Sequence, residues 1–159
     1  MARLREILGD EEFWLIYPLQ RSSCPTLSVL EILLNRDMLD RAEIAANLCV
    51  PAHILDRLSD DEDFVRCMVA CNPVSPPHVL IKLATDKDSQ VRCAVARNPF
   101  APSEAMGMLA KDESPIIRSH TCRNPNTLVE TIEDLTIDHN GMVRDNAVRM
   151  LKKRRRARV

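Results

Sequence analysis

Glycine and aromatic residues are nearly missing from this 159-residue chain, with three glycines and only 3% Phe, Trp and Tyr together. Sheets depend on aromatic and β-branched partners across strands and on glycine-bearing hairpin turns. Their scarcity excludes a sheet of many hairpins. It also starves any glycine-rich phosphate loop, and neither GxxxxGK[ST] nor GxGxxG occurs. No run approaches the roughly 18 apolar residues of a membrane span. The N-terminal stretch MARLREILGDEEFW lacks the apolar centre of a secretory leader. The six cysteines (24, 49, 67, 71, 93, 122) form no CxxC pair, so reduced thiols in a cytoplasm are the expectation. None of the four histidines stands at a defensible spacing from a Ser or Cys for nucleophilic catalysis. Carboxylate pairs chosen from 23 acids would be arbitrary. No enzyme and no cofactor are expected.

What remains is an aliphatic core on helices. Hydrophobic residues make up 45% of the chain, almost all of them Leu, Val, Ile, Ala and Met. The net charge of −1 hides a split: Arg149 to Val159 carry seven Lys and Arg and no acid, and the preceding residues carry a net −8. An acidic body with a basic tail bears on partners more than the overall charge does.

The chain matches itself at a spacing of 26 residues. Val65-Arg66, Val91-Arg92, Ile117-Arg118 and Val143-Arg144 share one register, as do Asn72-Pro73, Asn98-Pro99 and Asn124-Pro125. So do Asp60, Asp86, Asp112 and Asp138, and Leu83, Leu109 and Leu135. An earlier unit fits with one deletion, RAEIAAN at 41–47 matching RCMVACN at 66–72. Pro25, 26 residues before Pro51, marks a further degenerate unit.

Each unit reads as two short helices. In Ser75-Pro76-Pro77 the serine is expected to cap, and proline suits a first helical turn. Val79, Leu80 and Leu83 form one apolar stripe, and Val91, Ala94 and Val95 form the next. Asn98-Pro99 closes the second helix, since proline disfavours helix in the residue before it and Asn tolerates helix-closing conformations. Neither stripe can be buried alone, so the units must stack. The expected architecture is all-α, with no sheet: a cap helix within residues 1–18 around Phe13, Trp14 and Tyr17, about five stacked units over 19–151, and a basic tail over 152–159.

An Asp and an Arg recur six residues apart in Asp60/Arg66, Asp86/Arg92, Asp112/Arg118 and Asp138/Arg144. One reading is an arginine row for phosphates or acidic peptides. The favoured one is an internal ladder, each fork-shaped Arg bonded to an Asp in its own or a neighbouring unit. The row Asn47, Asn72, Asn98 and Asn124 is read likewise as turn-bonding.

The run VRCAVARNPFAP from Val91 to Pro102, continued by LAKD at Leu109 to Asp112, resembles the variant leucine-rich repeat, whose unit reads approximately VRxxVAxNPxTPxxxLxxLAxD. The resemblance is strong over 60–125 and fair over 41–59. It departs from the pattern at Cys122, where Ala is usual, at Leu128, where Pro is usual, and at Asn146, where the residue is usually small and apolar. It implies a right-handed α-solenoid that pairs an α-helix with a shorter, often 3₁₀, helix. HEAT-type repeats, with a similar Asp–Arg ladder, are the nearest alternative. It implies a scaffold and assigns no biochemical activity. Some members carry an iron–sulfur cluster ahead of the repeats, held by about four thiolates. Before residue 41 this chain has only Cys24, so that feature does not carry over.

Three regions are candidates for contacts. Cys67 and Cys71 sit one helical turn apart and Cys93 repeats the place of Cys67; with His53 or His78 they suggest a zinc site, against the plainer reading of small semi-buried residues. The tail, Lys152, Lys153, Arg154, Arg155, Arg156 and Arg158, could neutralise nucleic acid, anionic lipid or an acidic protein, or simply extend the last helix, and no aromatic is interleaved for base stacking. The exposed edge of the second helices carries Cys67/Cys71, Cys93/Arg97, Ser119/Arg123 and Asp145/Arg149. It is the candidate face for a protein partner, with Arg97, Arg123 and Arg149 its charged row.

Overall fold

A computed structural model describes residues 27–156 of the chain. Among these the helices are α1 (Leu27–Leu34), α2 (Met38–Ala46), α3 (Ala52–Leu58), α4 (Asp63–Cys71), α5 (Pro77–Leu83), α6 (Ser89–Arg97), α7 (Ser103–Leu109), α8 (Pro115–Arg123), α9 (Val129–Asp134) and α10 (Gly141–Arg156). A 3₁₀ turn at Leu135–Ile137 joins α9 to α10. No strand occurs among the described residues. The expected N-terminal cap helix and Arg158 lie outside them.

Helices of seven to nine residues are too short to persist alone, since isolated helices need about 12–15 residues. Packing supplies the difference. Each second helix lies against the next, α2 on α4, α4 on α6, α6 on α8 and α8 on α10; α3, α5 and α7 each lie against both flanking second helices, and α9 lies against α10. The core follows the repeat: Leu55, Leu80, Met106 and Ile132 are fully buried in one column, and Leu58, Leu83, Leu109 and Leu135 are buried in another. Such side chains contribute about 1.5–3 kcal/mol each on burial. The column Ala70, Ala96, Cys122 is also buried, whereas its next member, Val148, is 39% exposed, with no further unit packed on it among the described residues.

Two local expectations are corrected. Asn72 closes α4 with φ −72° and ψ 124°, the extended geometry that the following proline requires. The asparagines are therefore not there for a left-handed backbone. Ser75 does not cap α5, whose N-cap is Pro76 with no side-chain bond. Its hydroxyl instead donates to the Val69 carbonyl at 2.6 Å, and Thr127 does the same to Thr121. Both tie the loop back to the helix that precedes it.

Candidate partner-binding face

Most of the recurring polar residues are used up in holding units together. Arg66 Nε and Nη2 donate to the two oxygens of Asp86 at 2.6 and 2.8 Å. Arg92 meets Asp112, and Arg118 meets Asp138, with the same fork. Every such pair spans 20 residues into the next unit. The third nitrogen turns back onto the arginine's own unit: Arg92 Nη1 donates to the Asp86 carbonyl, and Arg118 Nη1 to that of Asp112. Each arginine thus clamps two successive turns.

The forward step of 20 residues also corrects the register. Arg41 is bound by Asp61, at 2.7 and 3.0 Å, and not by Asp60. The one-residue deletion therefore falls in the turn between Asp61 and Arg66. Two adjacent aspartates hid it, because Asp60 keeps the 26-residue spacing to Asp86 while Asp61 does the bonding. Asp60 is 74% exposed at its side chain and pairs with Lys82. Arg144, last of the series, donates Nη1 to the Asp138 carbonyl, but no carboxylate reaches it among the described residues.

Charge follows geometry here. Burial works against ionisation of Asp61 and Asp86, but the Arg41 or Arg66 bond and a backbone amide outweigh it and hold both carboxyls below the usual range. At Asp138 the Arg118 bond is the largest influence and acts in the same direction.

The asparagines reach the other way. Asn98 Nδ2 donates to the carbonyls of Ala70 and Asn72 in the preceding unit, at 2.9 and 3.1 Å. Asn72 holds Ala45 and Asn47, and Asn124 holds Ala96 and Asn98. Each Oδ1 accepts the amide two residues on, as Asn98 does from Phe100. The next column position is Met150, which cannot donate. Arg154 replaces it: Nη2 donates to the Asn124 carbonyl at 2.8 Å and Nη1 to that of Thr127. The tail is therefore not wholly outside the repeats. It prolongs α10, with Arg154 capping the asparagine column and Lys152, Lys153, Arg155 and Arg156 exposed. Neither Arg154 nor Asn126, whose amide holds the Pro99 and Ala101 carbonyls, stands out from the spacing alone. Methionine in the asparagine column was the available signal.

Arg97, Arg123 and Arg149 behave differently. All three are exposed, and no hydrogen bond or ion pair engages them among the described residues. Arg97 and Arg123 flank the half-buried His120, which burial first, and then these two like charges, push below the ordinary imidazole value. Arg97 also lies close enough to Cys71 to favour its thiolate. Cys71 borders a cavity of about 260 Å³ lined by Ala46, Leu48, Met68, Asn72 and Pro73. The face thus runs from an apolar hollow to a line of unpaired guanidinium groups. A wider, open cavity of about 760 Å³ lies over the Asp60–Asp63 turn with Arg66, Lys87 and Asp88; its arginine belongs to the clamp.

Cys67 and Cys71 stand one turn apart on α4, and the neighbouring Cys67 thiol lowers the Cys71 pKa. Cys93 is near enough to influence Cys67, and burial raises its own pKa. His78 turns to Asp56 instead, at 3.1 Å. No group of three or more His, Cys, Asp or Glu is placed to hold a metal ion among the described residues. Cys122 is fully buried, its thiol pushed up to about 11 by burial. No helix among the described residues is long and apolar enough to cross a membrane. No family model, curated protein or solved structure matches the chain.

Proposed function

We propose that the chain is a non-catalytic scaffold of the variant leucine-rich type, a right-handed α-solenoid, which binds a protein partner across its second helices. One observation carries this reading. Of the two arginines that recur per unit in α6 and α8, one is bonded into the fold at Arg92 and Arg118, and the other is left unpaired at Arg97 and Arg123. Exposed arginine columns on packed helices suit recognition of a partner. The test is capture from an extract of the source cell on immobilised full chain, wild type against R97E/R123E/R149E, with thermal melts matched. Loss of the captured protein in the variant supports the reading, and an unchanged captured set overturns it.

A second reading rests on the four exposed bases Lys152, Lys153, Arg155 and Arg156 of α10, which could neutralise nucleic-acid phosphates. Substituting those four while keeping Arg154 separates charge from stability. Tight, salt-steep RNA or duplex DNA binding that the substitution abolishes would favour this reading over the first.

A further inference from the structure

Resting on the protein-binding reading above, we propose that the face reads an extended acidic segment: an aliphatic side chain seated in the cavity beside Cys71, followed by a carboxylate at every third residue over Arg97, Arg123 and Arg149. Three observations set the pattern. First, the cavity is walled mainly by apolar groups, with Leu48 42% exposed at its rim and Met68 half-buried behind. It offers an aliphatic group shelter and a phosphate none. Second, the cavity and the arginines are contiguous, since Cys71, Arg97 and Arg123 hold one 26-residue register on α4, α6 and α8, and each of these helices packs on the next. Arg149 continues the column by register on α10.

Third, the spacing selects the ligand's periodicity. Packed helices lie about 8–10 Å apart, and a chain in the extended polyproline II form advances about 3.1 Å per residue with three residues per turn, which keeps every third side chain on one face. Three residues of such a chain therefore span one helix-to-helix step. Acids placed consecutively can align only one carboxylate with one arginine. Burial, and then the Arg97 and Arg123 charges, disfavour protonation of His120, and the exposed guanidinium groups of Arg97, Arg123 and Arg149 place one positive charge per helix along this stretch. Nucleic acid supplies a phosphate at every nucleotide and no aliphatic anchor for the cavity.

The test uses fluorescence anisotropy with the full chain and synthetic peptides of about ten residues. One peptide carries a leucine followed by aspartates three, six and nine positions later. Its isomer carries the same residues with the aspartates consecutive. Both are made in both chain directions, and a single-stranded RNA of similar length is the third probe. The spaced peptide is expected to bind about tenfold more tightly than its isomer in one direction, since two exposed charge contacts are lost at about two- to fivefold each. Arg123→Ala should weaken the spaced peptide about two- to fivefold, and Leu48→Asp should weaken both leucine-bearing peptides, both with unchanged urea midpoints. Equal affinity for the two isomers, no binding in either direction, or tighter binding of the RNA would overturn the proposal. If the peptides fail while partner capture still depends on the three arginines, this inference falls and the scaffold reading stands. If charge reversal leaves capture unchanged, both fall.

Discussion

Helix α8 carries two arginines five residues apart that live in opposite environments. Arg118 is 5% exposed at its side chain and bonded to Asp138 at 2.7 Å, with its third nitrogen on the Asp112 carbonyl. Arg123 is exposed and unpaired among the described residues. The same contrast recurs between Arg92 and Arg97 on α6. A guanidinium is a rigid fork that matches a carboxylate with two bonds. Placed where the next unit presents an aspartate, it joins units; placed one turn later, on the open edge, it has nothing inside the molecule to join. Repetition at a fixed spacing thus says that a residue matters to every unit, and its environment says for what.

Breaking the clamp should have the largest effect. Arg118→Ala leaves the buried Asp138 carboxylate without its partner and is expected to lower stability by about 1–3 kcal/mol, read from urea midpoints. Arg92→Ala should cost a similar amount. Asn98→Ala comes next, since it strands two buried carbonyls, those of Ala70 and Asn72. The expected loss is about 1–2 kcal/mol, measured the same way.

Acid should act on one arginine set and spare the other. The carboxyls of Asp61, Asp86 and Asp138 are held below their ordinary value in the fold. Their contribution is therefore fully present above the unfolded value of about 3.9 and is lost as pH falls through the lower folded values. A melt series from pH 6 down to about pH 2 should show the fall beginning near pH 4. Asp86→Asn should flatten it.

The register offers a finer comparison. Asp61→Asn should destabilise measurably, whereas Asp60→Asn, which touches only the exposed Lys82 pair, should stay within about 0.5 kcal/mol. Arg144→Ala, where no carboxylate reaches the guanidinium among the described residues, should also stay within that limit, in contrast to Arg118→Ala. Equal costs at Arg144 and Arg118 would show that the forward carboxylate is not what matters.

Much of this arrangement is legible in the sequence. Asn98-Pro99 and Asn124-Pro125 marked helix ends because proline constrains its neighbour locally. Val91 and Leu109 marked core columns because burial imposes helical spacing. What escaped were contacts whose partner is backbone or whose register shifts by one. Arg154 sits in a run of like residues, and its acceptors are carbonyls 27 and 30 residues back, which no side-chain pattern announces. Asp61 was masked by its twin at 60, since identical chemistry next door leaves spacing as the only guide, and the deletion moved that guide. The cavity beside Cys71 draws on Ala46 and Leu48 from one unit and Met68 and Pro73 from the next, so it exists only once the units are packed.

The matched pair on α8 is the most direct test of the division between clamp and face. Arg118→Ala and Arg123→Ala would each be assayed for urea midpoint and for binding of the spaced acidic peptide at low temperature, where both remain folded. The account predicts that Arg118→Ala lowers the midpoint and keeps binding, while Arg123→Ala keeps the midpoint and weakens binding about two- to fivefold. An Arg118→Ala protein with an unchanged midpoint and no binding, or an Arg123→Ala protein as destabilised as its neighbour, would contradict it.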